Sequence, residues 1–113
     1  MNIVEELIGD VLVEIINVDR ASYNEAAKFK EMLDEKIKSG TTKIVVDLTA
    51  CEFIDSTFLG VLVSVLRKVS KEQGDLRLVG FKPAVRAMFE LTRMFRVFES
   101  YEDLKEAVDS FNK

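Results

Sequence analysis

A strand-to-helix passage near the middle of the chain constrains its fold more than any other feature. Lys43-Ile44-Val45-Val46-Asp47-Leu48 is a short, nearly continuous apolar run rich in β-branched residues. Such a run reads as a strand buried on both faces, the environment a parallel sheet provides. After a short interval, Val61-Leu62-Val63-Ser64-Val65-Leu66 carries apolar residues at helical spacing. Between the two lies Phe53-Ile54-Asp55-Ser56-Thr57-Phe58-Leu59-Gly60. A buried parallel strand reaches its neighbour only through a crossover, so this passage commits the chain to an α/β architecture.

The turn into that helix is rich in side-chain oxygens. Asp55 suits the N-cap, because its carboxylate can accept from the first free N–H groups of the helix. Ser56 is then the first helical residue, with its hydroxyl beside the positive end of the helix dipole.

The flanking segments repeat the alternation. Ile3–Ile8 and Val11–Val18 read as strands joined by a Gly9-Asp10 turn, an antiparallel pair with the first strand at the edge. Ser22-Tyr23-Asn24-Glu25 is a capping box. It opens a helix whose apolar stripe is Ala26, Phe29, Leu33 and Ile37 and whose end is Gly40. The helix after Asp55 is expected to run to about Gln73, with Gly74 as its stop. Leu76–Gly80 reads as another strand, and Pro83 suits the first position of a third helix. Arg96-Val97-Phe98 reads as a last short strand. Ser100-Tyr101-Glu102-Asp103 reads as the start of a fourth helix with Leu104, Ala107, Val108 and Phe111 buried. The expected fold is one α/β domain over residues 1–113. Its sheet is mixed, mostly parallel, of four to five strands, with an antiparallel N-terminal edge strand and about four helices.

Bulk properties narrow the function classes. The 113 residues carry a formal net charge of −4 and no basic block. This argues against nucleic acid as a direct partner and favours a protein with a basic surface. A single cysteine, Cys51, excludes an internal disulfide and fits a cytoplasmic setting. The N-terminal residues lack the pattern of a signal peptide. The longest apolar stretch, Phe58–Leu66, is far shorter than the ~20 residues of a spanning helix, so no membrane insertion is expected. The absence of histidine removes the commonest general base and metal ligand.

In open α/β sheets, functional groups gather beyond the carboxyl ends of the parallel strands. Asp19, Thr49–Asp55 leading to Ser56, and Gly80-Phe81-Lys82 fall there. Ser56 has two readings, an ordinary serine at a helix start or a phosphoryl acceptor. Phosphate would add about −1.5 to −2 charges, which a helix N-terminus tolerates but a docked partner would not. A catalytic nucleophile is disfavoured, because no histidine is present to act as base and no Gly-x-Ser-x-Gly elbow occurs. Asp19, Asp47 and Asp55 are candidates for a divalent cation or, alternatively, for simple caps. Phe58 fits either core packing or an exposed contact with a partner.

Ile44-Val45-Val46-Asp47-Leu48, then Phe53-Ile54-Asp55-Ser56-Thr57, then Leu59-Gly60 and an apolar helix resemble the central motif of the STAS domain. The likeness is greatest to the small bacterial anti-sigma factor antagonists. It extends through Val18-Asp19, Lys82-Pro83-Ala84-Val85-Arg86 and Phe95–Phe98 to Tyr101–Ala107. The resemblance implies a non-enzymatic, cofactor-free module. Unmodified, such a module binds an anti-sigma factor that is also a serine kinase. Phosphorylation on the residue matching Ser56 releases it, and a serine phosphatase restores it. The implied partner surface comprises Asp19, Asp55, Ser56, Thr57, Phe58 and Gly60. Two positions depart from the family pattern. Phe58 stands where glycine is frequent, and Thr92-Arg93-Met94 replaces a glycine-containing turn. The alternative is a ligand- or nucleotide-sensing STAS module, or a transporter accessory subunit, in which Ser56 is not phosphorylated.

Overall fold

The structure is a computed structural model and describes residues 2–112. Its elements follow in the order β1 (Ile3–Ile8), β2 (Val11–Ile16), β3 (Arg20–Ala21), α1 (Tyr23–Lys38), β4 (Lys43–Asp47), β5 (Phe53–Ile54) and α2 (Ser56–Lys71), then β6 (Asp75–Val79), α3 (Pro83–Leu91), a 3-10 turn (Met94–Arg96), β7 (Ser100–Tyr101) and α4 (Leu104–Ser110). Five strands form one sheet in the order β1-β2-β4-β6-β7. The β1–β2 pair is antiparallel and the other pairs are parallel. The α/β class, the antiparallel edge and the four helices are as the sequence predicts.

Two apolar layers hold the sheet. On one face Leu12, Ile16, Ile44, Val46, Leu76 and Leu78 pack against α1, α2 and α3. On the other face Val11, Val13, Val45 and Val79 pack against Ala107 and Val108 of α4. The central strand β4 therefore buries Ile44, Val45 and Val46 on both sides, which is why its sequence is apolar without alternation. Helix α2 buries seven side chains, Phe58, Leu59, Val61, Leu62, Val65, Leu66 and Val69. At about 1.5–3 kcal/mol per large apolar side chain, this helix is anchored far more by burial than by its propensity.

Three expectations are corrected. The last strand is Ser100–Tyr101, not Arg96–Phe98. Arg93 takes a left-handed conformation, φ 60°, and launches the 3-10 turn, while Phe98 turns into a cluster with Phe89. An arginine thus holds a backbone shape that glycine adopts without strain, at a cost of about 1–2 kcal/mol. The fourth helix is capped by Asp103, which accepts from the Glu106 N–H at 2.8 Å; Ser100 and Tyr101 belong to the strand. Gly74 is not the left-handed residue that ends α2, because Gln73 is, at φ 63°. Glycine is needed at 74 for space, since a Cβ there would sit 2.0 Å from the Thr42 carbonyl oxygen.

Candidate functional site

Two short strands that apolar patterning does not reveal build the site. β3 and β5 form their own parallel ladder, pairing Arg20 with Phe53 and Ala21 with Ile54. The Asp19 carbonyl accepts from the N–H groups of Glu52 at 2.8 Å and Phe53 at 3.0 Å. The Ala21 carbonyl accepts from the Asp55 N–H at 3.0 Å. This ladder draws the loop after β2 alongside the loop after β4. Asp19 and Ser56, distant in sequence, thereby belong to one edge of the domain.

Asp55 fastens that edge. One carboxylate oxygen accepts from the Phe58 N–H at 2.8 Å and caps α2. The other accepts from the Tyr23 N–H at 2.9 Å, at the first turn of α1. A single carboxylate therefore serves the N-termini of two adjacent helices, each of which presents free N–H donors and a positive dipole end. The capping role is legible in the sequence. The second bond is not, because it links residues 32 positions apart.

The contrast with α1 explains the state of Ser56. Ser22 caps α1 itself, accepting from the Asn24 N–H at 3.3 Å, and Glu25 returns to the Ser22 N–H at 2.9 Å. Its hydroxyl is occupied. On α2 the cap is Asp55, so Ser56 occupies the next position and lies exposed, as does Thr57. The first turn of α2 contains no acidic side chain beyond the cap. Gly60 lies one turn along and is also exposed; a Cβ placed there would meet nothing within 4 Å.

Asp19, Asp55, Ser56, Thr57 and Gly60 thus lie on this edge or the turn of α2 leading from it. Phe58 does not share that surface. Its side chain is fully buried and stacks on Phe29 of α1, with ring centroids 5.1 Å apart and planes within 8°. The place of Phe58 on a partner surface is corrected accordingly. The bulk added at this position points inward and joins α2 to α1. The exposed aromatic residues here are instead Tyr23 and Phe53. Helical spacing does not mark Tyr23, which lies three residues before Ala26 as the first residue of α1 and is nonetheless exposed.

The acidic residues do not gather into a metal centre. Among the described residues no group of three metal-ligating side chains occurs. Asp47 holds the turn after β4 by accepting from the Thr49 N–H at 2.9 Å. Cys51 is fully buried, and burial pushes its thiol up to about 11, which leaves it an unreactive small apolar residue. On the neighbouring loop Lys82 pairs with Glu52 at 2.8 Å. Among the described residues, no helix is long and apolar enough to cross a membrane.

Comparison with known proteins places this geometry in context. The STAS domain family matches residues 15–107. A Thermotoga maritima protein assigned as an anti-sigma factor antagonist is 29% identical over 108 residues, covering 96% of each chain. A crystal structure of a T. maritima protein with the same assignment superposes with a TM-score of 0.89 at 26% identity, covering 98% of this chain and 95% of that one. The anti-sigma factor antagonist SpoIIAA in its unphosphorylated form superposes with a TM-score of 0.86, and Bacillus SpoIIAA in the phosphorylated form with 0.78. These cover 97% and 96% of this chain and 96% and 98% of SpoIIAA, at 18% and 17% identity, a likeness of fold.

Proposed function

This chain belongs to the STAS domain family, and on that premise we propose that it is a phosphorylation-switched anti-sigma factor antagonist. Unmodified, it binds an anti-sigma factor with serine kinase activity. The kinase then phosphorylates Ser56, the complex separates, and a serine phosphatase resets the domain. The observation that carries this reading is the exposed Ser56 at the first position of α2, with the capping task already taken by Asp55.

The chemistry is a transfer for which the domain supplies the acceptor. The Ser56 Oγ attacks the γ-phosphorus of ATP, and a new O–P bond forms. The bond from that phosphorus to the bridging oxygen breaks and ADP leaves. The hydroxyl proton passes to a base on the kinase. This domain is then a substrate rather than an enzyme, in keeping with a chain that contains no histidine.

Charge accounts for the switch. A phosphoryl group at Ser56 meets free N–H donors and the positive end of the α2 dipole, so the fold tolerates it. A docked protein meets a dianion next to Asp55, on the edge that also carries the Asp19 carboxylate. Burying that charge without a matching cation costs several kcal/mol, enough to separate a complex. Asp19, Asp55, Ser56, Thr57 and Gly60 are the residues proposed to face the partner.

The test is incubation of the domain with the source organism's anti-sigma kinase and Mg-ATP, followed by intact mass and peptide mapping. One phosphoryl group on Ser56, absent in Ser56→Ala, is the expected result. An unmodified domain would contradict the proposal and favour the ligand- or nucleotide-sensing or transporter-accessory alternative.

A further inference from the structure

The aromatic residues of this domain are almost all withdrawn from solvent. Phe29, Phe58, Phe89 and Phe98 are buried, and Phe81, Phe95, Phe111 and Tyr101 are half-buried. Among the described residues the exposed aromatics are Tyr23, at 68%, and Phe53, at 38%. Both stand in the segments that Asp55 and the β3–β5 ladder lock together. The Tyr23 N–H is bound by Asp55, and Phe53 lies two residues before Asp55, paired with Arg20 across the ladder. The Arg20 guanidinium sits over the Phe53 ring, 5.2 Å from its centroid.

The Tyr23 side chain does little for the fold. Helix α1 packs through Ala26, Phe29 and Leu33, and the Tyr23 ring stays exposed. Its backbone, not its ring, makes the bond to Asp55. An exposed ring that contributes nothing to the core gains by burial only when another surface covers it. Tyrosine, phenylalanine and arginine are enriched at the centres of protein interfaces. There a stiff ring buries much area and loses little conformational entropy.

We propose that Tyr23 and the Arg20–Phe53 stack anchor the protein partner, while Ser56 acts as the switch among them. This rests on the function proposed above and divides its labour. Affinity resides in the two rings and the guanidinium, and control resides in a hydroxyl that contributes little to binding. The partner is a protein surface with an apolar cleft for the rings. It carries a carboxylate opposite Arg20 and a cation opposite Asp19, because the two adjacent exposed charges on this edge are of opposite sign. That alternation fixes the register in which the surfaces meet. Phosphate on Ser56 then acts by placing a dianion inside a ring of contacts that would otherwise hold.

The test uses the full chain and the purified anti-sigma kinase, with calorimetric titration and a melting curve for each variant. Tyr23→Ala and Phe53→Leu are expected to weaken binding about tenfold or more. Leu91→Ala, at a still more exposed apolar side chain at the far end of α3, is expected to bind as wild type. Full affinity in both ring variants, with Ser56→Asp still weakened, overturns the anchor assignment and leaves the proposed function standing. Wild-type affinity in Ser56→Asp, or no binding by the unmodified domain, overturns the function and the anchors with it. Should Phe53→Leu melt early, Tyr23→Ala decides, since its side chain lies outside the core.

Discussion

Two carboxyl groups, Asp55 at the loop edge and Glu14 in the sheet, have opposite surroundings. Asp55 receives an N–H from each of two helices and holds the edge that presents Ser56. Glu14 is fully buried on β2, and neither of its oxygens has a hydrogen-bond donor in reach. Its cross-strand neighbour is Glu5 on β1, which pairs with Lys36 of α1 at 3.0 Å. Burial, with the Glu5 carboxylate beside it, pushes the Glu14 carboxyl up to about 9. Glu14 therefore keeps its proton at neutral pH and can donate it to Glu5. The same functional group is a fixed double acceptor in one region and a proton-bearing donor in the other. What decides is whether helix N–H groups point at it.

Removing the double acceptor gives the largest effect. Asp55→Ala is expected to lose about 3 kcal/mol in urea denaturation, since it strips a cap from α2 and a charge-assisted bond from α1. Asp55→Asn, which can still accept, should lose less. Equal losses would mean that the charge contributes no more than the geometry.

The buried partner in the comparison should respond to pH. The folded state holds Glu14 protonated up to about 9, while an unfolded chain releases that proton near the ordinary glutamate value of 4.5. The folded pKa is raised, so this group's contribution is fully present below the unfolded value and is lost as pH rises towards the folded one. The loss is at most about 1.4 kcal/mol per pH unit. Glu14→Gln keeps the shape and can donate its amide hydrogens to Glu5. The variant should be more stable than wild type at pH 8, with the gap closing towards pH 5. A gap that does not change with pH would show that Glu14 does not titrate in this range.

Smaller effects separate the surface from the scaffold. Gly60→Ala fills open space on an exposed helix face, so it should raise stability by about 0.5–1 kcal/mol in denaturation. If the partner lies against that face, the same substitution weakens binding, and the two measurements move in opposite directions. Ser56→Ala should leave stability within about 0.5 kcal/mol of wild type and abolish phosphorylation. Ser22→Ala supplies the contrast, with an expected loss of about 1 kcal/mol, because that hydroxyl caps its helix.

The sequence carries much of this edge, through signals that are local. The continuous apolar run of β4, the capping box at Ser22, the Asp55 cap and Pro83 at the start of α3 are each written within a few residues. What escapes is non-local or short. β3 and β5 have two residues each, too few for any alternation to register, yet they bring Asp19 beside Phe53. β7 lies later than the apolar run Arg96–Phe98 because Arg93 is left-handed, a conformation that side-chain type argues against. Gly74 reads as a helix stop because glycine commonly ends helices, but its task is to admit the Thr42 carbonyl. Spacing alone leaves Phe58 open between core and surface, because its stacking partner Phe29 lies on another helix. Glu14 falls within an apolar strand, and nothing nearby in the sequence signals its pairing with Glu5.

The most direct test is to prepare the domain phosphorylated on Ser56 and measure both its melting temperature and its affinity for the purified anti-sigma kinase beside the unmodified form. The expected result is a melting temperature within a few degrees of the unmodified domain and binding weaker by about a hundredfold or more. Phosphorylated domain that still binds tightly, or that has lost its fold, would contradict the account.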